Sequence, residues 1–505
     1  MKKINIFLAL TIIFTAILSC EKSDPINGKK NGINTVTQFV YDGMSAFYLW
    51  DYEISNKKPT KNDNNPEEYF YKILNSTDTE HGWSWITDDV NSLMAEFGGE
   101  STDAFGFQPF ALYTDESYTT VVGFIRYVYP NTPAEAAGLK RGEVIIRIDG
   151  QTITENNYIK MYGSNSPTRF TVLDKNLQNQ RDVTITPATI STDPVLFTKV
   201  FDEYTGHKIG YLFYTNFIAN YNQSLYNTFS EFKSAGITDL VIDLRYNPGG
   251  GVSAATYLAS LIAPVINVQN KDVLTIMNYN SFVNSNYDSK NWDRKTYLGS
   301  NDTKYSNPVN ANINLDKVYI ITTGSSASAS ELLTFCLEPY MQVEQIGEKT
   351  SGKYTASWTI HAYDNFIKNG NARAQPVYPE SDLSTKEKAE LKNWAMQPIV
   401  GRYTDKNNKD FIATNGLIPD HPVATQEYNT KTWLPIGDTN DYLLAKAVSL
   451  ITGQPIPSVA AESHTRSLQL PQFKESGLTS QFEKIVSESV IIDNPKLLPP
   501  IVKSN

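Results

Sequence analysis

Two short apolar runs, Thr238 to Leu244 (TDLVIDL) and Leu315 to Thr323 (LDKVYIITT), constrain this chain most. Both have the length and continuous apolar character of strands buried on two faces. Asn247-Pro248-Gly249-Gly250-Gly251 breaks the first, and helical sequence restarts over Ala254 to Ile262. Gly324-Ser325-Ser326-Ala327-Ser328-Ala329-Ser330-Glu331 follows the second, and a helix is expected over Leu332 to Leu337. Buried strands that alternate with helices belong to a parallel sheet, which predicts an α/β domain over 193–453. Lys208–Tyr214 supplies another strand and Tyr226–Ala235 another helix, stopped at Gly236. Val265 to Asn314 is rich in Asn and Tyr with little periodicity, and reads either as an inserted lid or as a surface excursion. Residues 454–505 turn Ser-, Pro- and Lys-rich and are expected to form a loose tail.

Upstream, the pattern changes twice. Over 34–98, Phe39, Tyr41, Met44, Phe47 and Tyr48, then Tyr69, Phe70, Ile73 and Leu74, recur at helical spacing and predict a small helical domain with an aromatic core. Residues 99–192 are β-rich (Thr119–Val128, Val144–Ile148, Phe170–Leu173, Val183–Thr186) around one sharply bounded helix, with Pro133 in its first turn and Gly138 at its end. Lys140 to Gly150 (KRGEVIIRIDG) reads as a turn, a strand and a hairpin at Asp149-Gly150.

A length of 505 residues accommodates roughly three such domains. Forty-four Lys and Arg against 54 Asp and Glu leave a net charge of −10 without a basic cluster, so no electrostatic footprint for nucleic acid exists. The five histidines stand apart from one another and from any Cys/His ligand spacing, so neither a metal nor another cofactor is expected.

The start of the chain reads as an export signal over 1–19. Lys2 and Lys3 precede an apolar stretch from Ile4 to Leu18, shorter than the ~20 residues a spanning helix needs. Ile17-Leu18-Ser19-Cys20 resembles the lipobox of bacterial lipoproteins, which implies lipidation of Cys20, a polar tether over 20–33 and a place in the cell envelope, periplasmic or at the cell surface.

Ser328 opens a Ser-x-x-Glu capping box with Glu331, an arrangement that is usually structural. Its place at a strand-to-helix turn gives it a second reading. There, Oγ lies at the positive end of a helix dipole, and the next backbone N–H, that of Ala329, is available to an oxyanion. Gly249 or Gly250 offers a second donor, the alternative being a plain turn. No histidine has a supporting Asp at recognisable spacing, so Lys353 is the candidate base, on one strand face with Thr355 and Ser357. A lysine acts as a base only where burial keeps part of it neutral.

The string from Asn131 to Gly150 resembles the core of PDZ domains, with Glu143 where Asp is usual. This resemblance implies a module that adds a peptide as an extra strand and holds its terminal carboxylate on the backbone around Phe105, Gly106 and Phe107, with the Phe105, Phe107 and Phe110 rings as apolar contact beside it. Downstream, Asp243–Gly250 (DLRYNPGG), Ser326–Glu331 (SASASE), Gly352-Lys353 and Gly416–Asp420 (GLIPD) occur in the order seen in carboxyl-terminal processing proteases. The chain resembles that family from about Phe105 to Ile451. The resemblance implies a crotonase-like α/β protease core beside the β-rich PDZ-like and helical domains, with Ser328 as nucleophile and Lys353 as base. It also implies polypeptide substrates, unfolded or with free C-termini. Where the family often has an amide four positions after its lysine, Ser357 stands here. Two rivals remain open: a catalytically silent lipoprotein that only binds peptides, and a tricorn-like peptidase that trims oligopeptides.

Overall fold

The structure is a computed structural model that describes residues 32–114, 118–300, 302–363, 374–424, 430–457, 490–493 and 495–501. The expected export signal, Cys20 and most of the 20–33 tether lie outside the described residues.

The central sheet runs in the order Val195–Tyr204, His207–Tyr214, Asp239–Asp243, Lys317–Thr322, Gln342–Gly347, His421–Pro422. Its first pair is antiparallel and the remaining pairs are parallel. The two apolar runs are neighbours at its middle, with Val241 opposite Tyr319. Leu240, Val241, Ile242, Ile320 and Ile321 are wholly enclosed, which explains the missing polar alternation. Asn222–Ala235, Val252–Ile262 and Ala329–Leu337 pack on one face, and Tyr442–Thr452 packs on the other. Arg245 ties sheet to helix: its guanidinium donates to Asp243 and to Asp441, the N-cap of Tyr442–Thr452, at 2.7 Å each. All three groups are buried, so removing Arg245 leaves two buried carboxylates without their cation, at a cost of about 3–5 kcal/mol.

Val265 to Asn314 is neither lid nor surface excursion. It forms the helix Val265–Gln269, the strand Val273–Tyr279, the helix Ser281–Ser289, the strand Lys295–Tyr297 and the helix Pro308–Ala311. Leu274, Val283 and Leu298 are fully buried. Val273–Tyr279 pairs with Ile399–Asp405, far along the chain, so its stability comes from a partner that no local periodicity announces.

The N-terminal helices Thr35–Phe47, Pro66–Ile73, Ser76–His81 and Val90–Phe97 share a core with the α/β domain: Phe39, Phe47 and Tyr48 pack in one cluster with Trp358 and Ile360. The strand Trp85–Thr87 joins a sheet with Ala395–Gln397, Thr359–His361 and Ala374–Pro376. The PDZ-like domain has the sheet Phe107–Tyr113, Val121–Val128, Val144–Ile148, Thr168–Leu173, Arg181–Ile185 and the short helix Pro133–Ala136. Asp149 and Gly150 both take positive φ (53° and 81°), as a two-residue hairpin requires. This domain is seated on the α/β domain through Arg126, whose Nη2 lies 3.1 Å from Ser325 Oγ, and Arg141, which reaches Tyr246 Oη at 3.0 Å.

The expectation of a loose tail fails for the described residues 490–493 and 495–501. Val490–Ile491 is a strand inserted between Gly250–Gly251 and Thr355–Ser357. Farther on, Leu498 is buried and exchanges hydrogen bonds with the Gln375 amide at 2.8 and 3.0 Å. Buried Ile491 and Leu498 offset part of the cost of ordering this segment, whose apolar residues come in short runs broken by proline and so show no helical or strand period.

Candidate active site

Ser328 is the N-cap of Ala329–Leu337 and has φ 63° and ψ −110°, the first central position of a type II′ turn, where glycine is the usual residue. Neighbouring serines hold it there. Ser326 Oγ donates to the Leu244 carbonyl at 2.7 Å, and Ser330 Oγ donates to the Asn247 carbonyl at 2.8 Å. Together they stitch the serine turn to the glycine turn. Only half of the expected capping box forms. The Ser328 N–H donates to Glu331 Oε2 at 2.7 Å, but Ser328 Oγ makes no capping bond and, though buried, has no hydrogen-bond partner among the described residues.

Gly249 closes on this turn. A Cβ there would stand 2.7 Å from Ser328 Cβ and 3.0 Å from Ala329 N, and its φ is 118°, so only glycine permits the approach. The Gly249 N–H already donates to Asn247 Oδ1 at 2.9 Å. The Gly249 carbonyl and the Gly251 N–H both bond to Phe217, at 2.8 Å each. By strand alternation the Gly250 N–H points the other way.

Lys353 is 1% exposed. Glu331 binds it to the serine turn: its carboxylate accepts the N–H groups of Ser328 (2.7 Å), Gly352 (2.7 Å) and Lys353 (2.9 Å) and the Thr350 hydroxyl (2.5 Å). Burial pushes the Glu331 carboxyl above its ordinary range, and these four donors pull it back. The Tyr403 hydroxyl adds a second tie, 3.1 Å from the carbonyl oxygens of both Ser328 and Lys353. The Gly416–Asp420 motif braces the same loop, the Leu417 N–H donating to Thr350 Oγ1 at 2.7 Å. Because Ser328 Oγ has no partner, its bond to Lys353 Nζ is not made in this arrangement; such bonds commonly tighten only around substrate.

Ser357 is wholly buried, and Gln397 Nε2 donates to its Oγ at 3.0 Å. An amide therefore reaches this point from the strand Ala395–Gln397, and its buried Oε1 has no partner among the described residues. Behind Lys353 stands Asp78, from the N-terminal helices, which accepts the Tyr48 hydroxyl at 2.7 Å and the Ser84 N–H at 2.8 Å. Burial raises the Asp78 carboxyl, and the Ser84 and Tyr48 hydrogen bonds and the Lys353 ammonium offset that in part. Asp78, Glu331, Gln397 and Tyr403 were invisible as site residues in the sequence. Only Glu331 carried a signal, and that signal pointed to a cap.

The PDZ loop corrects one expectation. Phe105 and Phe107 are 1% and 7% exposed and meet Phe170 edge-on inside the domain core. The carbonyls of Phe105 and Gly106 accept the N–H groups of Ala134 and Tyr129 at 2.8 Å each, and a Cβ on Gly106 would stand 2.2 Å from Thr132. These rings serve the core of the module and offer no apolar wall to a peptide.

Residues 208–423 match peptidase family S41, 35–85 match the peptidase S41 N-terminal domain and 124–173 match a PDZ domain. The carboxyl-terminal-processing protease of Picosynechococcus is 28% identical over 229 residues, which is 44% of this chain and 49% of the relative. The chain thus carries the family S41 core together with that family's N-terminal domain and is similar to carboxyl-terminal processing proteases. Another relative is the carboxy-terminal processing protease CtpB of Bacillus subtilis, 27% identical over 46% of this chain and 44% of its own length. The chain thus spans about half the length of these curated relatives. Among solved structures, an S41 protease of Bacteroides fragilis superposes with a TM-score of 0.60 at 25% identity, covering 82% of this chain and 97% of the other.

Proposed function

We propose that this S41 protein is a serine endopeptidase that cleaves unfolded or C-terminal polypeptide segments with Ser328 and Lys353. One observation carries the reading. A buried serine in a glycine-like conformation, its Oγ uncommitted at a helix N-terminus, is bound through one carboxylate to the loop of a buried lysine. Ser328 Oγ attacks the peptide carbonyl and passes its proton to the neutral Lys353 amine. The amine returns that proton to the leaving nitrogen, and water then releases the acyl group by the same route. The N–H groups of Ala329 and Gly250 stabilise the oxyanion; Gly249 is set aside because its N–H is bound within its own turn. Gln397 and Ser357 supply the polar contact that orients the lysine.

In this reading the PDZ domain engages the free C-termini of substrates through its backbone, and the chain is exported and anchored through a lipidated Cys20. Among the described residues no helix is long and apolar enough to cross a membrane. The test is digestion of an unfolded protein by residues 34–505 beside a Ser328→Ala variant. Hydrolysis by the first and none by the second is expected, and equal hydrolysis by both overturns the reading.

A further inference from the structure

The slot between the strand Gly250–Gly251 and the strand Thr355–Ser357 separates the glycine turn from the strand that follows Lys353. Residues from the far end of the chain fill it. Val490 stands opposite Gly250 on one side and Ala356 on the other, and Ile491 stands opposite Gly251 and Ser357, both pairings being parallel. The Ile492 N–H adds a bond to the Ser357 carbonyl at 3.1 Å. Since Phe217 takes the Gly249 carbonyl and the Gly251 N–H, the outward main-chain groups of Gly250 are the ones facing Val490–Ile491.

One further contact fastens this segment. The helix Val252–Ile262 begins at Gly251, which has no side chain to cap it. Asp493 supplies the cap from a distance: Oδ1 accepts the Ser253 N–H at 3.2 Å, and Oδ2 accepts the Ser253 hydroxyl. Ile491 and Asp493 then line a small open pocket together with Phe97, Phe217, Gly250 and Gly251.

We propose that this slot is the binding site for the main chain of an extended polypeptide substrate, and that Val490–Asp493 is its resident occupant, which substrate must displace. The proposal rests on the protease reading above. A sheet gap flanked by the oxyanion glycine and the strand after the base offers unpaired main-chain groups on both edges, which is what an added strand needs. The occupant is held in the slot by a two-residue ladder, the Ile492 N–H bond, the buried Ile491 side chain and one carboxylate, and contacts this few belong to the least stable part of a fold. Leu498, docked on Gln375 in a different sheet, keeps the tail attached when the slot empties.

The test compares residues 34–505 with Asp493→Ala and Leu498→Ala on one unfolded protein substrate. Asp493→Ala is expected to lower KM about tenfold with kcat within twofold, and to speed labelling of Ser328 by a fluorophosphonate about tenfold. A synthetic peptide of sequence 487–501 should inhibit that variant competitively. Leu498→Ala should lower Tm without the KM effect. An Asp493→Ala variant with unchanged or higher KM and no inhibition by the peptide overturns the proposal, while hydrolysis by the unmodified chain leaves the protease reading standing. Absence of both hydrolysis and labelling in every form overturns both.

Discussion

Replacing Glu331 with Gln isolates the tie between nucleophile and base. The native carboxylate accepts four donors, two on each oxygen: Ser328 and Lys353 N–H on Oε2, Thr350 Oγ1 and Gly352 N–H on Oε1. An amide keeps one acceptor oxygen. If Gln retains Oε1 at the Oε2 position, its NH₂ faces Thr350, whose hydroxyl can turn to accept, and Gly352, whose N–H cannot. One charge-assisted bond is lost outright and three are weakened. The expected loss of stability is about 2 kcal/mol, reduced by the relief of no longer burying a charge. The catalytic effect should be larger, because the bonds lost are those that set the separation between two loops. A displacement of about 1 Å at a reacting centre costs about 100-fold, so kcat/KM should fall by about that factor. Hydrolysis of an unfolded protein substrate and thermal unfolding, measured on the same preparation, read the two quantities separately. A variant within about threefold of native kcat/KM would refute the role given to Glu331.

Four further outcomes are expected. Ser328→Ala should abolish turnover and change stability by less than about 1 kcal/mol, because Oγ caps nothing, whereas Ser330→Ala, which loses the bond to Asn247, should destabilise yet retain activity; paired activity and unfolding measurements separate the two. Lys353→Arg should be inactive in the same assay, since a guanidinium cannot take the proton. Cys20→Ser in the full chain should move the protein from the membrane fraction to the soluble one, read by fractionation and blotting. Burial raises Glu338 to about 7 and Asp493 to about 6. Carboxyls raised on folding favour the folded state below their unfolded values and lose that contribution as pH rises through 6 and 7. Tm measured by calorimetry should therefore be higher at pH 5.5 than at pH 8.

What the sequence disclosed follows the range of the interactions involved. Val144–Ile148 and the hairpin after it depend on turn residues next in the chain, and the strand bounds agree with the sequence reading. The buried strands Asp239–Asp243 and Lys317–Thr322 were legible because burial on two faces removes polar residues from a short run. Lys353 and Ser357 were legible through motif order. The amide that meets Ser357 was not, because Gln397 arrives from a strand paired with Trp85–Thr87, and nothing in its own neighbourhood distinguishes it. Asp78 was hidden for the same reason, its role depending on helices packed behind the lysine. Phe105 and Phe107 misled because aromatic residues beside a glycine loop read alike whether they line a groove or fill a core. Val490–Asp493 was missed although Val490-Ile491-Ile492 is apolar, because a two-residue strand leaves no period to detect.

The central claim is that Ser328 is a nucleophile activated by Lys353, and a fluorophosphonate probe tests it most directly. Residues 34–505 are treated with the probe, digested and mapped by mass spectrometry, beside Lys353→Ala and Ser328→Ala variants. The account predicts a single adduct on Ser328, suppressed at least about 100-fold in Lys353→Ala and absent in Ser328→Ala. An adduct on any other serine, or labelling of Ser328 that does not depend on Lys353, would contradict it.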